Sequence, residues 1–109
     1  MFVVRKAIQQ DYFEVLELGD EQLGNAYLKG VLHPSINKPL WVAEDEDGKV
    51  VGFVYVLLDQ DSATIKSIAI HKDFQNQGIG LLLLETVMDK LSQNAKRIDV
   101  IAWERSDED

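Results

Sequence analysis

Ile68-Ala69-Ile70-His71-Lys72-Asp73-Phe74-Gln75-Asn76-Gln77-Gly78-Ile79-Gly80 is the stretch on which the reading of this 109-residue chain turns. An apolar strand ends at Ile70, a short polar bridge follows, and a loop with two glycines opens an apolar run at Leu81. Strand, glycine loop and helix start together make an anion site. The N–H groups of a first helical turn have no intrahelical acceptor and carry the positive end of the helix dipole, so a phosphate or pyrophosphate is held there by backbone donors. Gly78 and Gly80 keep side chains out of the ligand's approach.

Two nucleotide-binding patterns fail against these residues. The dinucleotide fingerprint G-x-G-x-x-G needs a third glycine where Leu83 stands, and it belongs early in a βαβ unit rather than late in a chain. A phosphate-binding loop needs Lys and then Ser or Thr after its second glycine, and Leu81-Leu82 occupy those places.

Outward from the loop, the run Leu81 to Leu91 has Leu81, Leu84, Met88 and Leu91 at helical spacing, with Leu83 and Val87 widening the apolar face. Arg97 to Trp103 then alternates as a last strand, expected parallel to the one before the helix. Upstream, Leu40–Glu44, Val50–Leu58 and Ala63–Ile70 read as three strands joined by the turn-rich segments 45–48 and 59–62, an antiparallel meander. Phe2 to Ile8 is expected as a first strand. Asp11 is expected to cap a helix with Glu14 three positions on, with Tyr12, Val15 and Leu16 on one face and Gly19 at its end. Leu23, Ala26 and Tyr27 suggest a second short helix ending at Gly30, and the segment from His33 to Pro39, with two prolines, a loop. The expected architecture is a single α/β domain over residues 1–109, a mostly antiparallel mixed sheet of about five strands flanked by helices.

Composition bounds the function. With 46% apolar and 28% charged residues the chain has the balance of a globular protein. A net charge of −8, from 11 basic and 19 acidic residues, argues against nucleic acid and favours neutral or cationic partners. The absence of cysteine excludes disulfides, thiolate nucleophiles and cysteine metal sites, and no metal site is expected. No stretch approaches the roughly 18 apolar residues of a membrane span, so no membrane partner and a cytoplasmic location are expected.

The segment from Ile68 to Gly80 resembles the acyl-CoA signature of the GCN5-related N-acetyltransferase (GNAT) family, Q/R-x-x-G-x-G/A after a strand, with Gln75, Gly78 and Gly80 filling it. Gly48-Lys49-Val50-Val51-Gly52-Phe53 resembles the family's third strand, and the order strand, two helices, three strands, helix, strand is its topology. The resemblance implies an acyl-CoA N-acyltransferase fold and acetyl-CoA as co-substrate. It implies that the backbone of Ile68 and Ile70 pairs with the pantetheine arm as an added strand while Ala69 points the other way. A bulge in that strand and a splay from the next would free the edge. The amides of Gln77, Gly78, Ile79 and Gly80, in a loop shaped by Gln75 and Asn76, would hold the pyrophosphate.

The implied reaction is direct attack of a primary amine on the acetyl thioester, which calls for a donor to the thioester oxygen, met by a backbone N–H near Ile70, and an acid for the leaving thiolate. Many relatives carry a Glu on the strand before the loop, where this chain has Lys66 and Ser67; Glu44 is the candidate substitute base. The family's acid, a tyrosine on a later helix, falls beyond Asp109, and the family's further strands are missing too. Tyr12, Tyr27 and Tyr55 read as packing residues, and His33 and His71 as surface histidines. A chain so shortened stands open to a second reading, a non-catalytic acyl-CoA-binding module, and to a third, a fragment completed by another subunit. The last strand, with Ile98, Val100, Ile101 and Trp103, is expected to pair in a homodimer.

Overall fold

The computed structural model of the chain describes residues 1–23 and 39–100. Five strands, β1 (Val3–Lys6), β2 (Leu40–Glu44), β3 (Val50–Asp59), β4 (Ser62–Ile70) and β5 (Arg97–Val100), form one sheet in sequence order. The first four are antiparallel neighbours and β5 lies parallel to β4. The parallel step needs a crossover, and α2 (Ile79–Leu91) supplies it on one face. On the other face lies α1 (Tyr12–Leu23). The expected mixed sheet of five strands, with its antiparallel meander and parallel last strand, is present.

Each face has its own apolar layer. Ile79, Leu83, Val87 and Leu91 of α2 pack on Trp41, Val51, Val54, Val56, Ile65, Ile68 and Ile70. Val15 and Leu18 of α1 pack on Leu40, Val42, Phe53, Tyr55 and Ala69. Successive strand residues serve opposite layers, which is why β2, β3 and β4 are apolar along nearly their whole length.

The turns follow from their residues. In the β2–β3 connection, Gly48 takes a left-handed φ of 83°, and the Asp45 Oδ1 accepts the N–H groups of Asp47 and Lys49, both at 2.9 Å. At Gly52 the reason for a glycine is space: an added Cβ would lie 2.8 Å from Ile70 Cδ1, 3.1 Å from Leu83 Cδ1 and 3.2 Å from the Ala69 carbonyl oxygen. The missing side chain lets α2 sit close on the sheet at the end of β4.

Several sequence expectations are corrected. Gly19 does not end α1; the helix runs on to Leu23 with Gly19 buried, because packing of Val15 and Leu18 on the sheet outweighs the roughly 1 kcal/mol helix penalty of glycine. Asp11 does not form a capping box with Glu14. Its Oδ2 accepts the Ile8 N–H at 2.7 Å, closing a 3₁₀ turn at Gln9–Asp11, and Glu14 Oε2 instead accepts the Val50 N–H at 3.4 Å. The first strand is trimmed to Val3–Lys6. In α2 the start at Ile79, two residues early, sets the phase, so Ile79, Leu83, Val87 and Leu91 are buried while Leu81 and Met88 are exposed. Leu23 is the last residue of α1; the rest of the expected second helix, the loop as far as Lys38, and residues 101–109 fall outside the described residues.

Candidate active site at the open edge of β4

Between Tyr55 and Val56 the β3–β4 register slips: Tyr55 faces Ser67 and Val56 faces Ile65, leaving Lys66 as an extra residue in β4. That is a β-bulge, which bends its strand and raises the local twist. β5 pairs with β4 only from Ser62 to Ile65, on the near side of the bulge. Beyond it, from Lys66 to Ile70, that edge of β4 has no strand partner among the described residues.

The orientation of the free edge follows from one bond. The His71 N–H donates to the Val51 carbonyl at 2.8 Å, toward β3. Alternation along an antiparallel ladder then turns the peptide groups of Ala69 to β3 and those of Ile68 and Ile70 to the open edge. The side chains of Ile68 and Ile70 lie in the α2 layer and that of Ala69 in the α1 layer, so all three are buried while two expose peptide groups at the edge.

From Ile70 the chain turns through His71 and a 3₁₀ turn, Lys72–Phe74, into the loop and α2. His71 Nδ1 accepts the Asp73 N–H at 3.1 Å, and its ring meets Phe74 edge-on at 5.6 Å between centroids. Gln75 is the clamp of the loop. Its Nε2 donates to the Ile70 carbonyl and to Gln22 Oε1 on α1, both at 3.0 Å. Asn76 takes a left-handed φ of 66°, a conformation Asn tolerates better than most residues. Gly78 is the N-cap of α2 with φ 81° and ψ 9°, and a Cβ there would meet nothing within 4 Å. Its need for glycine is backbone conformation, and the space in front of it is open. The first inward bond of the helix is Leu82 N–H to the Gly78 carbonyl, 3.0 Å. The N–H groups of Ile79, Gly80 and Leu81 therefore have no intrahelical acceptor.

The site's other expected participants lie elsewhere or are occupied. Glu44 Oε1 accepts from Arg5 Nε at 2.7 Å, while Arg5 Nη1 and Nη2 grip Asp11 at 2.8 and 3.0 Å. The Arg5 guanidinium, helped by the Ile8 N–H, holds the Asp11 carboxyl below the usual carboxylate range despite its burial, and the Asp11 hydrogen bond raises the pKa of Arg5. Glu44 is thus a strand-end carboxylate committed to a structural ion cluster. Tyr55 is buried in the α1 layer and Tyr12 packs against it. Ser67 is buried and Lys66 is the bulge residue itself. Tyr27 and His33 fall outside the described residues. No group of three or more His, Asp or Glu that could hold a metal occurs among the described residues. Sequence reasoning missed the Gln22 contact to the loop, since residues 53 apart leave no local signal.

Residues 37–108 match the sequence model of the acetyltransferase (GNAT) domain. The chain belongs to the GNAT acetyltransferase family. The [ribosomal protein bS18]-alanine N-acetyltransferase of Escherichia coli strain K12 is 38% identical over 48 residues, 44% of this chain and 32% of that relative. The match thus spans about a third of that protein's length. Among solved structures, the Escherichia coli ribosomal-protein-S18-alanine N-acetyltransferase superposes with a TM-score of 0.76 at 21% identity, covering 85% of this chain and 61% of that one. An Escherichia coli GNAT family N-acetyltransferase in complex with CoA gives 0.70 at 18% identity, covering 84% and 57%. These likenesses establish the acyl-CoA N-acyltransferase fold. GNAT enzymes use acetyl-CoA.

Proposed function

We infer that this GNAT chain binds acetyl-CoA along the β4 edge and the loop that follows, and transfers the acetyl group to a primary amine. The observation that carries the reading is the continuity of the outward peptide groups of Ile68 and the outward N–H of Ile70, whose carbonyl is taken by Gln75, with the N–H groups of Ile79, Gly80 and Leu81, which have no intrahelical acceptor. An arm with amide groups fits the edge as an added strand, with Ala69 facing β3. The pyrophosphate fits the helix start, received by the amides of Gln77, Gly78, Ile79 and Gly80, in a loop fixed by Gln75 and Asn76. Acetyl-CoA supplies the activated thioester. The chain binds and orients it, and the Ile70 N–H, at the last position of the edge, donates toward the thioester oxygen.

In the transfer a C–N bond forms as the C–S bond breaks; the amine's proton goes to water and the thiolate is protonated from water. The carboxylate proposed as the base, Glu44, is not free to take that proton, because it is bound to Arg5. The same observation favours a second reading, an acyl-CoA-binding module with little turnover. The acceptor proposed for the enzyme reading is a protein N-terminal amine. The name of the alanine N-acetyltransferase relative supports it, as does the net charge of −8, which attracts basic partners. A cytoplasmic location and a homodimer through β5 belong to the proposal: beyond β4, β5 has no partner among the described residues, and Val100 is exposed.

The test is calorimetric titration of CoA into the wild type and Gly78→Glu, beside thiol release from acetyl-CoA with peptides beginning in alanine and with small amines. Binding lost in the variant with turnover in the wild type supports the enzyme. Binding without turnover leaves the module, and undiminished binding by Gly78→Glu refutes the site.

A further inference from the structure

At the other end of α2, on the same face of the sheet, lies a cleft of about 590 Å³. Gly78 and Lys90, twelve residues apart, are about 18 Å apart along the helix axis at 1.5 Å per residue, so this cleft is separate from the β4 edge. Its floor is apolar, formed by Trp41, Leu58 and Leu91. The rim holds neutral hydrogen-bonding residues such as Gln60, Thr86 and Asn94, and two lysines, Lys6 and Lys90.

The charge pattern is the informative part. Among the described residues no Asp or Glu lines the cleft, in a chain with 19 acids against 11 bases. Arg5 also borders it, but its guanidinium is taken by Asp11 and Glu44. Lys6 and Lys90 form no ion pair among the described residues, whereas Arg5, Arg97 and the N-terminal amine each have an acidic partner. Lys6 Nζ instead sits 5.5 Å from the centroid of the Trp41 ring, which holds a cation over the floor without neutralising it. Asp59, Asp61 and Asp89 adjoin lining residues in sequence and stay outside the lining.

The carbonyl end of α2 points toward this region and opposes an anion, and Lys90 in its last turn answers that pole. Much of it is already satisfied within the chain. Ser92 N–H caps the Met88 carbonyl, Ser92 Oγ the Asp89 carbonyl, and the Asn94 and Ala95 N–H groups the Leu91 carbonyl. Two lysines without an ion-pair partner among the described residues then border an apolar floor, Lys6 with its ammonium over Trp41, in a cleft whose size suits a small ligand.

We propose that this cleft binds a small organic carboxylate with an apolar body. The body lies on Trp41, Leu58 and Leu91, and the carboxylate is held between Lys6 and Lys90. The site is independent of acetyl-CoA binding at the β4 edge.

Three probes, benzoate, benzamide and acetate, titrated into the full chain and followed by proton–nitrogen correlation spectra, test it. Benzoate is expected to shift the Trp41 indole N–H and the amides of Gln60 and Asn94 in a saturable way. It is expected to bind about tenfold more tightly than benzamide, which lacks the charge, and than acetate, which lacks the body, each loss being one contact's worth. Lys6→Gln combined with Lys90→Gln is expected to weaken benzoate by about tenfold or more with CoA titration unchanged and the fold retained, the melting temperature falling by only a few degrees as the Trp41 contact and the helix-end charge are lost. Equal binding of benzamide, indifference of the double variant, or shifts confined to the Gln75–Gly80 loop overturns the proposal. Loss of CoA binding in the wild type would refute the β4 edge and leave this site standing.

Discussion

Replacing Gly52 by alanine places one methyl group where the sheet, the end of β4 and α2 converge. The new Cβ would stand 2.8 Å from Ile70 Cδ1, 3.1 Å from Leu83 Cδ1 and 3.2 Å from the Ala69 carbonyl oxygen. The first two neighbours are methyl tips that a rotamer change moves; the third is backbone, held in the ladder to β3, and moves only with the strand. Overpacking of this kind costs about 2 kcal/mol, within the usual range for an added methylene in a tight core. In a domain of this size that lowers the melting temperature by roughly 8–12 °C. The cost has an identifiable relief. Ile70→Val deletes the Cδ1 atom at the shortest contact and by itself costs about 1 kcal/mol. Combined with Gly52→Ala it is expected to give a total about 1 kcal/mol smaller than the sum of the two, a coupling between residues in contact. Urea denaturation of the four proteins in the cycle measures this. Gly52→Ala within about 0.5 kcal/mol of wild type, the range of an uninvolved surface change, or strict additivity with Ile70→Val, would refute the close approach of α2 at this point.

Gly78→Ala, with open space around its Cβ but a left-handed backbone, is expected to lose about 1 kcal/mol of stability by urea denaturation, against a larger effect on CoA affinity by calorimetry. The depressed carboxyl of Asp11 contributes stability that is present above the unfolded value near 3.9 and lost as pH falls through its lower folded value. Asp11→Asn is therefore expected to flatten the acid limb of stability below about pH 4 and to cost about 1–3 kcal/mol at neutral pH, read by denaturation across pH. For the proposed dimer, sedimentation over a concentration series is expected to show a dimer that Val100→Pro weakens, since proline removes an edge donor; a monomer at all concentrations ends that proposal.

The strands were legible because alternation of apolar residues and the turn chemistry around Gly48 and Gln60 are local signals, and the loop was legible because few structures need a strand, two glycines and an apolar helix in that order. What stayed hidden was phase and partnership. Leu81 and Ile79 are equally apolar, and only the left-handed turn at Gly78 decides which of them faces the sheet. Glycine at position 19 reads as a stop signal in isolation, yet the packing of the residues before it carries the helix through. Glu44 and Asp11 looked like a free carboxylate and a helix cap; their capture by Arg5 depends on β1 lying beside β2, which the sequence does not state.

Lys66 has a consequence for how the strand is spelled. With that one residue omitted, Ala63, Thr64, Ile65, Ser67, Ile68, Ala69 and Ile70 alternate without interruption, the first, third, fifth and seventh toward α2 and the others toward α1. The apolar layers have no use for a residue at position 66: a β4 shorter by one would satisfy both of them and keep β3 and β4 in a single register. The extra residue breaks that register at the very point where the pairing with β5 stops, just past Ile65.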